Sequence, residues 1–530
     1  MIPLIITLLL PLISSLLILF MNKENVKLIK YFTLISSLIT FLISLFLLFN
    51  FNNTNPDIQY YINVTWVSSL DAGFRIGLDG MSLLLVMLIT FISPIAILSS
   101  FDSIKTREKE YYFMILLLQF AMVGVFTALD TFLFYIFWEL ILIPMYFIIG
   151  IWGGKNRLYA TVKFFIFTMV GSLFMLVAII WLGNYVGNEI LKTGFTTDYL
   201  KIKEVANLIP LNYQNWLFWA FAISFFIKVP LFPLHTWLPD AHTEAPTAGS
   251  VILAAILLKM GTYGLIRFNL EFFTSASIAN ASLISIFAVI GIIYGALVAA
   301  IQTDIKKLVA YSSVSHLGFV VLGIFSMTAI GIQGAIIQMV NHGLSTGMLF
   351  LLVGIIYERR HTREISEYGG IARIMPVYAT FFAIAMFSSV GLPGLNGFVG
   401  EYLTLIGAFT SPILNSWGYA IAASTGVIFA AVYLLWMYQR VFFGTVDNPS
   451  NLNLKDLSKR EWAFLVPIVI FIVWIGLHPS TFTNISENST RKLVNKIENV
   501  KFGITPYPEL LKNSNLKTNS NQINNNKIGK

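Results

Sequence analysis

The sequence predicts an all-α polytopic membrane protein of about fourteen transmembrane helices, and three observations predict it. Of 530 residues, 57% are hydrophobic and only 11% charged, against roughly 25% charged in an ordinary soluble domain. Apolar runs of bilayer-spanning length, about 20 residues each, follow one another with hardly a break. Two of the runs are interrupted by clusters of proline and glycine, the pattern of discontinuous helices in transporters.

In order, the runs are 2–20, 28–50, 81–100, 111–129, 132–152, 158–186, 216–238, 250–268, 282–301, 308–325, 331–357, 377–410, 417–443 and 462–477. The first lacks a basic leader and a small-residue cleavage site, so it reads as a retained span. Residues 51–80 form the longest connector before a polar tail that begins after Leu477. Short loops rich in Lys and Arg lie on the inner side of a membrane. With the N-terminus outside, the inner connectors hold most of the basic residues, among them Lys23, Lys27, Lys105, Arg107, Lys155, Arg157, Lys306, Lys307, Arg359, Arg360 and Arg373. The outer ones hold Arg75, Lys192, Lys201, Lys203 and Arg267. The eight basic residues of the tail fall outside on this scheme and oppose it weakly, since distant charges count little.

The net charge of +8 therefore carries no indication of a nucleic-acid partner, because the charges sit in connectors and tail. There is no cysteine, which excludes thiolate-held iron–sulfur clusters, Cys-zinc sites, disulfides and thiol catalysis within this chain. No G-x-G-x-x-G or P-loop stands in the sequence.

Ionisable residues inside apolar runs are the informative ones, since each costs at least ~2.5 kcal/mol on insertion scales. Glu139 stands in FYIFWELILIPMYF, Lys228 opens KVPLFPLHTWLPDAH, just ahead of the first proline that breaks its span, and Lys259 stands in ILAAILLKMGTYG. His235 and His242 follow Lys228 by seven and fourteen residues; His316 (AYSSVSHLGF) and His342 (QMVNHGLSTG) stand among small hydroxyl residues that order water. Glu401 lies eight residues beyond Pro393 in GLPGLNGFVGEYL. Neutral imidazole both gives and takes a proton, and a lysine whose carboxylate neighbour moves can release one. The set suits a proton relay; static ion pairs that fix helix packing are the alternative for each residue singly. Lys163, five residues into its span, reads as a lysine that snorkels to the interface. His361 and His478 sit at span ends and carry no role. No H-E-x-x-H arrangement suggests zinc.

The stretches FRIGLDGMSLLL, FWELILIPMYFIIGIWGG, KVPLFPLHTWLPDAHTEAPTAGSVILAAILLKMGTYGLIRF, DIKKLVAYSSVSHLGF and GLPGLNGFVGEYL resemble the antiporter-like membrane subunits of proton-pumping NADH–quinone oxidoreductase, respiratory complex I. The resemblance implies three N-terminal helices with an outer loop (1–110), two inverted five-helix repeats (111–268 and 282–443), a last helix (444–480) and a tail (481–530). It also implies that Glu139, Lys228, Lys259, His342 and Glu401 form the proton relay, with His235, His242 and His316 extending it. Glu401, where sister subunits usually carry lysine, points to one branch of the family. NADH, FMN, iron–sulfur clusters and quinone are implied on partner subunits of a bacterial cytoplasmic membrane complex, with other antiporter-like subunits as neighbours and no cofactor here. A multi-subunit cation/proton antiporter or a membrane-bound hydrogenase uses similar chains and remains the alternative; a structural membrane spacer is a third reading. The Asn/Lys/Ser-rich stretch from Asn513 reads as disordered or as an arm on a neighbour.

Overall fold

A computed structural model describes residues 1–503, so the expectation for the stretch from Asn513 lies outside the described residues. Twelve helices among these residues are long and apolar enough to cross a membrane. They are α1 (Ile2–Phe20), α2 (Val26–Phe49), α3 (Gly80–Ser103), α4 (Glu108–Thr127), α5 (Thr131–Trp152), α6 (Arg157–Leu191), α9 (Thr247–Leu270), α10 (Thr274–Ala300), α11 (Ile305–Phe325), α12 (Ala329–Arg360), α15 (Gly418–Phe442) and α16 (Lys459–Leu477). The two remaining apolar runs are split, as their prolines and glycines dictate. One is α7 (Leu211–Lys228) followed by α8 (Trp237–Glu244), the other α13 (Pro376–Val390) followed by α14 (Asn396–Phe409).

Peripheral helices turn large apolar side chains outward. On α1, Ile13, Leu16 and Leu17 are exposed while Thr7, Ser14 and Ser15 are buried; α2 exposes Ile35, Ile39 and Leu42 and buries Ser36, Ser37, Thr40 and Ser44. Lipid tails are as apolar as leucine, so helices associate through small residues and hydroxyl hydrogen bonds rather than by hiding leucines. The Ser36 hydroxyl donates to Ser14 Oγ at 2.6 Å, Ser37 to Gln119 Oε1 at 3.0 Å, and Ser44 and Thr90 share a bond of 2.7 Å.

Central helices are the reverse. The most apolar windows of α9, α11 and α12 are 100%, 94% and 100% buried, against 39% and 33% for α1 and α2. Those three central helices carry Lys259, His316 and His342. These three titratable groups thus lie in a protein interior that can supply partners.

At the first break Pro230 and Pro233 stop the α7 ladder, and the freed carbonyl of Ile227 accepts from Trp237 Nε1 at 2.8 Å. At the second, Gly391 and Gly394 take φ of +85° and +93°, a region that only glycine enters freely. The carbonyl of Asn396 there accepts from Asn341 Nδ2 at 2.7 Å, and its side chain accepts from Ser388. Unwound backbone inside the bundle survives only when partnered in this way.

Connectors segregate onto two faces. On the basic face Gly154 N–H donates to the Glu244 carbonyl, Ile305 to Arg363 and Gly370 to Phe443, and Arg359 pairs with Glu461 at 2.8 Å. On the opposite face two segments differ from the sequence reading. Residues 51–80, read as a loop, contain an antiparallel hairpin of β1 (Gln59–Val67) and β2 (Ala72–Leu78). Its Arg75 is clasped by Asp71 (2.6 Å), Asp130 (2.8 Å) and Asp198 (3.3 Å).

The tail, read as polar throughout, begins with an amphipathic helix, α17 (Ser480–Lys501). Ile485, Leu493, Val494 and Ile497 share its buried face, a helical periodicity that the overall polarity of the tail hides. Gly80 permits the contact with α3, since a Cβ there would lie 1.9 Å from the Ile485 carbonyl oxygen. Asn488 donates to the Asn53 carbonyl (2.7 Å), Gln333 to Thr483 (3.0 Å) and Lys501 to Pro412 (3.0 Å), so the helix straps early and late parts of the chain together.

Lys496 of this strap reaches the Glu271 carbonyl at 2.6 Å. Burial, only partly offset by the Glu271 carboxylate, lowers its ammonium to about 8 from an ordinary 10.5. The docked state then binds fewer protons than the undocked one between those values, so docking strengthens as pH rises from about 8 towards 10.5 and is pH-independent below. Hydrogen exchange across 480–501 is expected to slow over that window beyond its intrinsic pH trend. Lys496→Met abolishes the extra protection if this lysine is its source.

Candidate functional site

The centre of the bundle holds a chain of titratable side chains. Between Leu253 and Leu257 helix α9 widens into a π turn, a feature common at functional sites because it redirects carbonyls. The Ala254 carbonyl thereby accepts from Lys259 Nζ at 2.5 Å. On its other side Lys259 Nζ lies 2.7 Å from His342 Nδ1 of α12, with no exposure to solvent. Gly343 lets these helices approach, since a Cβ there would come 3.0 Å from the Ala255 carbonyl oxygen.

His342 faces His316 of α11 with ring centroids 6.0 Å apart, its Nε2 unpartnered. His316 Nδ1 lies 2.7 Å from Glu401 Oε1 of α14, which also accepts from Gln338 Nε2 at 3.2 Å. Tyr433 Oη stands 3.4 Å from His316 Nε2. Four of the residues singled out from sequence, Lys259, His342, His316 and Glu401, therefore form one buried row across α9, α12, α11 and α14.

The other members are grouped differently. Lys228, 1% exposed, makes no hydrogen bond; its ammonium lies 5.3 Å from the Trp138 ring centre and 5.6 Å from that of Phe164. Glu139 is half-buried with Oε1 unpartnered, and the two form no direct ion pair. Aromatic rings supply the cation with part of what a carboxylate contact would. His235 stacks on Phe232 (5.7 Å) and meets Tyr294 edge-on (5.2 Å), with Nδ1 unpartnered. His242 is fully buried, stacks on Phe350 at 4.6 Å and has both ring nitrogens unpartnered.

Lys163, read as a snorkelling lysine, bonds Asp240 of α8 at 2.7 Å while both stay partly exposed. Asp240 escaped the sequence reading because PDAH looks like an ordinary interfacial turn. Also missed were Gln338, Asn341, Asn396 and Tyr433, uncharged groups that carry no cost flag in an apolar run. Arg267, placed in an outer connector from sequence, is 1% exposed and holds Asp79 at 2.7 Å. Its position at the end of GTYGLIRF was a usable signal, since so apolar a flank leaves an arginine only a buried partner.

The chain as a whole is similar to known proteins. Residues 128–445 match the transmembrane family described as NADH:quinone oxidoreductase/Mrp antiporter. The chain belongs to this family. Among antiporter-family relatives, the NADH-quinone oxidoreductase subunit M of Rickettsia prowazekii (strain Madrid E) is 44% identical over 494 residues, covering 93% of this chain and 98% of that one. The NADH-ubiquinone oxidoreductase chain 4 of Marchantia polymorpha is 42% identical over 488 residues, covering 92% and 96%. A chain of respiratory complex I from Thermus thermophilus with bound NADH superposes with a TM-score of 0.82 at 30% identity, covering 93% of this chain and 99% of that one. A chain of an archaeal membrane-bound sulfane sulfur reductase shares the fold, with a TM-score of 0.80 at 23% identity over 91% of this chain and 77% of that one.

Proposed function

We propose that this chain is the proton-translocating membrane-arm subunit M of an NADH–quinone oxidoreductase in a bacterial cytoplasmic membrane. NADH, FMN, iron–sulfur clusters and quinone are held by partner subunits. The observation that carries the reading is the buried row Lys259, His342, His316, Glu401, whose 2.7 Å contacts at each end suit proton transfer. Two inverted five-helix repeats, each with one discontinuous helix, frame it.

Glu139, with Oε1 unpartnered, and Lys228, without a hydrogen bond, answer to charge movement in a neighbouring subunit. A change there alters the field at Lys259, which passes a proton to His342 Nδ1. His342 releases the proton on Nε2 towards His316, and His316 delivers one from Nδ1 to Glu401 for release at the outer face. A neutral imidazole takes a proton at one nitrogen and gives it at the other, so each histidine ends the cycle in its other tautomer and resets by ring rotation or back-exchange.

Glu139→Gln keeps the volume and removes the charge. In inverted membrane vesicles it is expected to abolish or severely reduce NADH-driven acidification while NADH oxidation by an artificial acceptor stays unchanged. Wild-type coupling in that variant sinks the assignment. Sodium-dependent exchange that persists without NADH or quinone would instead favour the antiporter reading.

A further inference from the structure

A cavity of about 480 Å³ opens on the basic face beneath the C-terminal end of α8, lined among others by Asp102, Glu244, Lys306, Glu358, His361 and Arg363. Lys306, counted as a connector residue from sequence, is the second residue of α11 and only 6% exposed. Its Nζ donates to the Ala245 carbonyl at 2.5 Å and lies 3.4 Å from that of Thr243. Arg363 Nη1 also donates to Thr243, at 2.7 Å. Two cations thus meet the carboxyl end of a helix of eight residues, where backbone carbonyls lack intrahelical partners.

The next titratable group inward on α8 is His242, with no exposure, both ring nitrogens unpartnered, and Lys306 and Lys259 as the charges that act on it. A buried imidazole with no hydrogen bond to protein calls for water or a proton-exchanging group beside it.

We propose that this cavity is the proton-uptake port of the subunit, and that Lys306 passes protons from it to His242 and so to Lys259. This rests on the relay reading above. The Lys306 ammonium gives one proton to a His242 ring nitrogen and recovers one from solvent in the cavity. His242 passes its proton to the Lys259 amine left neutral after transfer to His342. No bond other than N–H changes, and each group returns to its starting charge.

The test uses the assembled complex in inverted vesicles, with NADH-driven acidification and uncoupled NADH–quinone turnover read separately. Lys306→Gln and Lys306→Arg are both expected to lower acidification at least roughly tenfold, below the roughly 10²–10⁴-fold that a proton-transfer group at a reacting centre contributes. A guanidinium can cap carbonyls but does not release a proton at neutral pH. Wild-type acidification in Lys306→Arg, with Lys259→Met inactive, makes Lys306 a helix cap and overturns the proposal. Normal acidification in Lys259→Met overturns the relay reading itself.

A second arm needs no change at Lys306. The chain has no cysteine, so Ser103→Cys places a single thiol in the cavity lining. A membrane-impermeant maleimide applied to the basic face is expected to label it and block acidification while uncoupled turnover continues. Labelling without loss of acidification overturns the port.

Discussion

Lys259→Met is expected to reduce proton translocation by roughly a hundredfold, the scale of a lost proton-transfer group, while NADH oxidation by an artificial acceptor stays unchanged. Methionine matches the length of the lysine but carries no proton. The Ala254 carbonyl and His342 Nδ1 both lose the ammonium that now bonds them at 2.5 and 2.7 Å. Each unsatisfied buried group costs about 1–3 kcal/mol, so assembly on native gels must be measured beside pumping. Lys259→Arg separates the two effects, since it keeps the charge and donors but holds its proton. Full translocation in an assembled Lys259→Met complex would remove this residue from the relay.

The largest effect on stability is expected at Arg267, which has no part in the relay. Arg267→Met leaves Asp79 buried without the guanidinium that bonds it at 2.7 Å and strips a donor from Tyr263. Burial by itself raises the Asp79 carboxyl, but Arg267 and the Ser82 N–H outweigh it and hold the group below its ordinary value. The pair therefore contributes stability above the ordinary aspartate range that is lost as pH falls through the lowered value. Breaking a buried pair from one side costs about 3–5 kcal/mol. Thermal unfolding in detergent is the measurement, and Arg267→Met with Asp79→Asn should recover part of the loss, because the orphaned charge is then gone. Equal stability of Arg267→Met and wild type would show the cluster to be dispensable.

The proposed relay was partly legible because a lysine or glutamate in an apolar run bears an insertion cost that the sequence exposes. Lys259, His342, His316 and Glu401 all stand in such runs, and the fold brings all four together. Glu139 and Lys228 were equally visible, yet they do not touch, and aromatic rings rather than a carboxylate flank the ammonium. Lys306 was read as a connector charge and Asp240 was not singled out, because both sit where spans meet connectors, where a charge normally reaches water. Asn341 and Asn396 were missed because amides among glycines are ordinary in sequence and become significant only when a broken helix needs partners.

The sequence by itself determined membrane residence, the places of the spans and the two breaks, because bilayer thickness and the backbone's need for hydrogen bonds act on contiguous residues. It also determined which residues bear an insertion cost. Only the tertiary structure decided which of them meet. Lys259 and His342 are 83 positions apart and His316 and Glu401 are 85, and such contacts depend on how whole helices pack. The strap formed by α17 was decided in the same way, since a helix of mixed polarity is fixed only by the surface that its apolar face finds.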